Sequence, residues 1–171
     1  MKDHLKILLL EDNETDAEIV ERFLKNTNPH HEFRRVMNED SYINALDEFQ
    51  PDLILSDNSM PQFSATEALE IKKQRALQIP FIMISGTATE EFAAGIMKMG
   101  ADDYLLKDRL ARLPAAIDTA LKQKKAEREK IEADRKIEES KNNLKAIFEN
   151  TSEGFLLMNM DGTVKALNTI A

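Results

Sequence analysis

The sequence has 171 residues, a formal net charge of −8 at pH 7 and no cysteine. The absence of cysteine excludes disulfides, thiolate metal sites and cysteine nucleophiles, and the negative charge opposes non-specific binding to nucleic acid or to an anionic membrane. Apolar residues make up 42% of the chain, enough for a buried core, and no apolar run approaches the ~20 residues of a membrane span. We therefore expect a cytoplasmic protein with no nucleic-acid partner and no membrane segment.

Charge is distributed unevenly along the chain. Up to Ile117 there are 21 acidic and 13 basic residues, whereas Lys122–Lys145 holds nine basic and six acidic residues. Because such shifts mark domain boundaries, we predict three pieces: a domain over residues 1–121, a helical linker over 122–147 and a third piece over 148–171.

Residues 1–121 alternate between short apolar runs and helical patterns. Near-continuous apolar runs such as Phe81–Ile84 are typical of strands buried on both faces of a parallel sheet, and Gly100 is placed to end a helix in the left-handed conformation. The predicted strands are Lys6–Leu10, Glu32–Met37, Asp52–Ser56, Pro80–Ile84 and Asp102–Leu106. The predicted helix starts, from capping signals, are Thr15, Asp40, Ser64 and Thr87. Five such units predict one α/β domain with a doubly wound, five-stranded parallel sheet.

Polar side chains stand directly after four of the predicted strands. They are Glu11 and Asp12, then Asp57, Ser85 and Lys107. The carboxyl ends of parallel strands share one edge of the sheet, where open α/β folds bind ligands, so we expect these side chains to meet in one cleft. Three carboxylates repel one another unless a cation neutralises them, and oxygen ligands suit Mg²⁺. With a lysine to contact a phosphoryl group, the set predicts phosphoryl transfer to an aspartate nucleophile.

Four motifs, in this order, resemble those of the response-regulator receiver domain. They are Leu8–Asn13, Asp57–Pro61, Ile84–Thr87 and Gly100–Lys107, within a region of resemblance over residues 5–121. The resemblance implies the flavodoxin-like strand order 2-1-3-4-5. It also implies a phosphoacceptor of a two-component phosphorelay, whose partner is a histidine kinase or a histidine phosphotransfer protein.

The resemblance implies a phosphorylation site and a metal site. Asp57 would accept the phosphoryl group from a phosphohistidine. Glu11, Asp12, Asp57 and the backbone carbonyl of Ser59 would hold Mg²⁺. On this view the chain is an acceptor that is phosphorylated and dephosphorylated rather than a turnover enzyme.

Further roles follow from the same resemblance. Lys107 and Ser85 would contact the phosphoryl oxygens, and Ser85 and Tyr104 would change position on phosphorylation. Ser59 and Thr87 occupy the positions that tune the lifetime of the phosphorylated state.

The sequence departs from the family pattern in two places. Asp108 stands where the family commonly has proline, so the cis peptide bond usual there is not expected, and we predict that Asp108 caps the helix that follows. The loop Gln62–Ala65 lacks the usual glycines, so its conformation is expected to differ.

The segment from Pro114 to Phe148 contains neither Gly nor Pro after its first residue and predicts one long helix. Apolar residues at heptad spacing, among them Ile137 and Leu144, favour a parallel homodimer through this helix. Because several positions of the seam are polar, a single solvated helix remains the alternative.

Residues from Ser140 onward resemble the opening of a PAS sensor domain. The pattern gives a strand over Gly154–Met158, an Asp-Gly hairpin turn at Asp161 and a second strand over Thr163–Leu167. Since about 25 residues cannot bury a PAS core, we expect the domain to continue beyond Ala171. The resemblance implies a receiver–PAS signalling protein such as a hybrid sensor histidine kinase.

Other functions compete with phosphoacceptance. A degenerate receiver would serve as a dimerisation or interaction module. An aspartate-nucleophile phosphatase is disfavoured because Ser59 stands where its second Asp is expected, and a flavin or nucleotide site is disfavoured by the acidic Glu11–Glu14 segment. The three histidines, His4, His30 and His31, are predicted to lie in exposed loops without a metal.

Overall fold

The computed structural model describes residues 4–58, 60–87, 89–150 and 156–167. The chain divides into two compact units, residues 1–126 and residues 127–171. No helix among the described residues is both long enough and apolar enough to cross a membrane.

The first unit alternates strands and helices. Its strands are β1 Lys6–Leu10, β2 Glu32–Val36, β3 Leu53–Asp57, β4 Phe81–Ser85 and β5 Asp103–Leu106. Its helices are α1 Glu14–Thr27, α2 Glu39–Glu48, α3 Ala65–Gln74, α4 Glu90–Lys98, a 3₁₀ helix Lys107–Arg112 and the start of α5 Leu113–Asn150. The strands form one parallel sheet in the order β2-β1-β3-β4-β5. This confirms the predicted fold and its long C-terminal helix.

The central strands are buried on both faces of the sheet. Every residue of β3 and β4 is buried, and successive side chains point to opposite faces. Ile54 joins the apolar cluster under α2, α3 and α4, whereas Leu55 joins the cluster under α1 and the start of α5. Burial on both faces explains why the strand sequences are continuous apolar runs rather than alternating ones.

Two of the predicted helix boundaries are confirmed. The Ser64 hydroxyl accepts the Glu67 N–H, and the Glu67 carboxylate accepts the Ser64 N–H at 2.7 Å, which closes a capping box at the start of α3. Gly100 follows α4 with a φ of 100°, a conformation that glycine adopts without steric cost.

The other predicted caps are wrong by a few residues. The side chains that cap α1, α2 and α4 are Asn13, Asn38 and Thr89. Each accepts backbone N–H groups that the first helical turn leaves unbonded. Asp108 lies inside the 3₁₀ helix rather than capping the next one, and the described peptide bonds are all trans.

His31 is buried, which contradicts its predicted position in an exposed loop. Only 6% of the residue is exposed, and its Nδ1 accepts the Leu5 N–H at 3.3 Å. His4 and His30 lie beside it, and His4 Nδ1 contacts the His30 carbonyl.

The second unit contains the rest of α5 and a β-hairpin. Strands β6 Leu156–Met158 and β7 Val164–Leu167 pair antiparallel. The turn uses Gly162 with a φ of 85°, and the Asp161 carboxylate accepts the Thr163 N–H at 3.0 Å. The Asp-Gly turn is therefore where the sequence predicts it, while the predicted strand residues Gly154 and Phe155 lie outside the described residues.

Candidate functional site

One open cleft of about 400 Å³ lies at the carboxyl edge of the parallel sheet. The ends of β1, β3, β4 and β5 and the first turn of α1 supply its walls, because parallel strands finish at the same edge. Its lining residues are Glu11, Asp12, Asn13, Asp16, Asp57, Gly86, Thr87 and Lys107.

Three carboxylates converge in this cleft. Glu11, Asp12 and Asp57 each place one oxygen within 4.8 Å of the others. Glu11 and Asp57 are buried, whereas Asp12 is exposed. Burial raises the pKa of Glu11; hydrogen bonds from Lys107 and from the Asn13 N–H lower it, and the charge of Asp57 raises it further. The balance is a raised pKa, chiefly because burial disfavours the ionised form of Glu11, with the charge of Asp57 as a smaller cause.

Lys107 is the cation that faces these carboxylates. Its Nζ lies 2.9 Å from Glu11 Oε2, 2.6 Å from Asp16 Oδ2 and 3.4 Å from Asp57 Oδ1. Burial works against the charge of Lys107, but hydrogen bonds to Asp16 and Glu11 and the nearby negative charges outweigh it and raise its pKa. Lys107 is therefore an ammonium at neutral pH. Four carboxylates and this one lysine line the cleft, which leaves it with an excess of negative charge.

The three converging carboxylates fit a Mg²⁺ ion. Mg²⁺ prefers oxygen ligands and usually retains several waters, and the exposed Asp12 leaves the group open to solvent. Glu11, Asp12 and Asp57 would hold the ion. The further ligand that the resemblance implies, the carbonyl of Ser59, lies outside the described residues.

Ser85 and Tyr104 do not line the cleft, although Thr87 does. The Ser85 hydroxyl donates to the Thr87 carbonyl at 2.6 Å and accepts the Thr87 N–H at 3.3 Å. Tyr104 packs against the cluster under α2, α3 and α4. Its hydroxyl is buried, and no described residue hydrogen-bonds to it. In this conformation neither hydroxyl contacts the carboxylates of the cleft.

Asp16 is a residue of the cleft that the sequence pattern did not reveal. The pattern assigned it to a capping box that starts at Thr15, but Asn13 caps α1. Asp16 lies in the first turn of the helix, and its Oδ2 is 2.6 Å from Lys107 Nζ. Asp16 could have been predicted as a cleft residue because it is acidic and closely follows the loop at the carboxyl edge. This signal is weak, since acidic residues are common in the first turn of helices, where the helix dipole stabilises them.

Comparison with known proteins identifies the class. The family model described as "Response regulator receiver domain" matches residues 7–118. The chain belongs to this family, and its first unit is a receiver domain of the kind found in two-component response regulators.

Individual relatives agree with this assignment. The Bacillus subtilis (strain 168) protein described as "Probable C4-dicarboxylate response regulator DctR" is 30% identical over 130 residues, which cover 75% of this chain and 55% of the relative. The phosphate regulon transcriptional regulatory protein PhoB of Klebsiella pneumoniae is 37% identical over 70 residues, which cover 40% of this chain and 31% of the relative. The chain thus spans about half or less of these relatives.

Solved structures show the same fold. A response regulator receiver domain protein from Clostridium thermocellum matches with a TM-score of 0.61 and 27% identity, over 71% of this chain and 97% of that one. The agreement covers almost the whole of that receiver domain.

Proposed function

We propose that this chain is a phosphoacceptor of a two-component phosphorelay, located in the cytoplasm. Asp57 takes a phosphoryl group from a phosphohistidine of a histidine kinase or a histidine phosphotransfer protein, in a Mg²⁺-dependent step. The observation that carries the proposal is the placement of the buried Asp57 carboxylate, within 4.8 Å of the Glu11 and Asp12 carboxylates and 3.4 Å from Lys107 Nζ.

The chemistry asked of these residues is limited. A carboxylate oxygen of Asp57 forms a bond to phosphorus while the bond from phosphorus to the donor nitrogen breaks, which gives an acyl phosphate. Mg²⁺, when bound, neutralises negative charge on the transferring group. Lys107 contacts the phosphoryl oxygens as a point charge.

The switch residues act after the transfer. Ser85 exchanges its hydrogen bonds with Thr87 for one to the phosphoryl group, and Tyr104 moves with it. The buried hydroxyl of Tyr104, without a hydrogen bond from any described residue, supports a side chain that has more than one stable position. Ser59 and Thr87 set the lifetime of the phosphorylated state.

The second unit carries the signal onward. Large apolar side chains on α5 are 54–65% exposed at Ile137, Leu144 and Ile147. Exposed side chains at heptad spacing support a parallel dimer through residues 122–147. The hairpin that follows supports the start of a PAS domain over residues 148–171, in a parent protein such as a hybrid sensor histidine kinase.

The phosphoacceptor proposal is tested by labelling. The chain is incubated with Mg²⁺ and acetyl phosphate, and the phosphorylated fraction is measured by mass spectrometry of the intact protein. Asp57→Asn abolishes labelling, whereas Asp108→Asn, which removes an exposed carboxylate, leaves it unchanged. Labelling that survives Asp57→Asn contradicts the proposal.

The dimer is tested by sedimentation equilibrium over a range of concentrations. We expect self-association that Leu144→Lys disrupts. Asn142→Lys adds the same charge away from the heptad stripe and leaves association intact. A wild-type chain that stays monomeric at high concentration contradicts the dimer. If the chain forms a dimer but the labelling experiment detects no phosphorylation, the degenerate-receiver alternative is favoured.

A further inference from the structure

We infer that Asp16 is a positioning residue that holds Lys107 away from Asp57 and slows phosphorylation. The inference rests on the proposed phosphorylation of Asp57. It assigns a role to a carboxylate outside the acceptor and the metal-binding group.

The contacts of Lys107 carry the inference. Lys107 Nζ donates hydrogen bonds to Asp16 Oδ2 at 2.6 Å and to Glu11 Oε2 at 2.9 Å. Its distance to Asp57 Oδ1 is 3.4 Å, longer than the ~2.7–2.9 Å of a charge-assisted hydrogen bond. Of its three carboxylate neighbours, Lys107 is therefore closest to Asp16 and farthest from the acceptor.

Asp16 is not a member of the metal-binding group. The carboxylates that converge within 4.8 Å of one another are those of Glu11, Asp12 and Asp57. Asp16 instead lies in the first turn of α1, with its side chain 34% exposed. Its contact in the cleft is with Lys107, so its effect on phosphoryl transfer passes through that ammonium.

This contact competes with phosphoryl transfer in two ways. The lysine must turn toward the phosphoryl oxygens, and each step in that direction weakens its short bond to Asp16. The negative charge of Asp16 also repels an approaching phosphate dianion. Both effects slow phosphorylation, so removal of the Asp16 charge accelerates it.

The experiment compares phosphorylation rates of the whole chain with acetyl phosphate and Mg²⁺. We expect Asp16→Asn to react about threefold to tenfold faster than wild type, the size expected for loss of one partly exposed charge-assisted contact. Glu14→Gln is the matched control, because Glu14 is an exposed carboxylate in the same helical turn. It removes the same charge from the helix N-terminus without removing a ligand of Lys107, and its rate stays close to that of wild type.

Two further measurements exclude a general structural effect. Asp16→Glu keeps a carboxylate within reach of Lys107 and restores a slow rate. The Mg²⁺ affinity of Asp16→Asn, measured by calorimetry without phosphodonor, stays within about twofold of wild type, since Asp16 is outside the metal-binding group.

The outcomes separate this inference from the function on which it rests. A wild-type chain that is not labelled, or is labelled elsewhere than at Asp57, overturns the proposed function. If wild type is labelled at Asp57 but Asp16→Asn reacts no faster than Glu14→Gln, the inference about Asp16 is overturned alone. A rate for Asp16→Glu as high as that of Asp16→Asn overturns it as well.

Discussion

Two ionic clusters lie at opposite edges of the same sheet; in one of them carboxylates outnumber lysines, and in the other lysines outnumber carboxylates. At the carboxyl edge, four carboxylates line the cleft around Lys107. At the amino edge, Asp102 lies 3.7 Å from Lys72 Nζ and 3.0 Å from Lys124 Nζ, and it accepts the Phe81 N–H at 2.8 Å. The side chains of Asp102, Lys72 and Lys124 are only 8%, 5% and 14% exposed.

This difference distinguishes a candidate binding site at the carboxyl edge from a buried ionic cluster at the amino edge that stabilises the fold. The amino-edge carboxylate is enclosed by donors from α3, β4 and α5, so it connects three elements and has no open face for a ligand. The carboxyl-edge cluster has more negative charge than its lysine can neutralise, and it opens to solvent through Asp12. An incompletely balanced, accessible cluster is where a cation and a phosphoryl group can be accommodated.

Breaking the amino-edge cluster gives the largest expected loss of stability. Asp102→Ala removes the carboxylate that both Lys72 and Lys124 contact, and it leaves the Phe81 N–H without its acceptor. We expect the free energy of unfolding to fall by about 3–5 kcal/mol, measured by urea denaturation. Asp108→Ala removes an exposed carboxylate and costs less than about 0.5 kcal/mol. Equal losses in the two variants would contradict a structural role for Asp102.

Breaking the carboxyl-edge cluster costs less and depends on pH. Lys107→Met removes the ammonium that faces Glu11 and Asp57, and we expect a loss of about 2 kcal/mol at pH 7, discounted because Lys107 is partly exposed. The loss shrinks as the pH falls toward 4.5, the ordinary pKa of Glu, because protonation of Glu11 removes its repulsion with Asp57.

The same pH series provides the control for Lys107→Met. Lys98→Met removes an exposed lysine at the end of α4, and its smaller effect should not grow between pH 4.5 and pH 7. A loss for Lys107→Met that is equal at both pH values would show that packing, rather than charge, is the contribution of Lys107.

Mg²⁺ sharpens the comparison because only one of the two clusters should respond to it. At a free concentration tenfold above its Kd, Mg²⁺ should raise the free energy of unfolding by about 1.4 kcal/mol. Asp12→Asn, which removes the exposed carboxylate of the proposed ligand set, should reduce this gain by weakening Mg²⁺ binding, whereas a NaCl control of equal ionic strength should not reproduce the gain. A gain that persists in Asp12→Asn at the same Mg²⁺ concentration would remove Asp12 from the ligand set.

The two clusters also differ in how far the sequence predicts them. The placement of Glu11, Asp57 and Lys107 at one edge follows from apolar runs that end in polar residues, and the strand order follows from the resemblance to the receiver domain. The contact of Asp16 with Lys107 could not be obtained this way, because the two residues are 91 positions apart, in α1 and in the 3₁₀ helix after β5, and only the folded chain brings their side chains together.

The amino-edge cluster was beyond sequence reasoning for a different reason. Lys72, Asp102 and Lys124 belong to α3, the loop before β5 and α5, and each alone has the pattern of a solvated surface charge. Only the packing of the helices on the sheet brings them together. Local periodicity does not show which distant side chains meet when helices pack on the sheet. It does show which residues end the strands, and in a parallel sheet those residues share one edge.

The smallest expected effect comes from His31, which also lies at the amino edge of the sheet. Burial, with smaller contributions from His4 and His30, lowers the pKa of His31 below its ordinary value of 6.5. The unfolded chain therefore takes up a proton at a higher pH than the folded one, so the stability contribution of neutral His31 is lost as the pH falls below about 6.5.

His31→Asn keeps an acceptor for the Leu5 N–H but does not titrate, so it should flatten this part of a plot of unfolding free energy against pH. His30→Asn, at an exposed neighbour, should keep most of the slope. An unchanged slope in His31→Asn would mean that other groups set the acid sensitivity of the fold, and that the amino edge contributes to stability through Asp102 rather than through a neutral histidine.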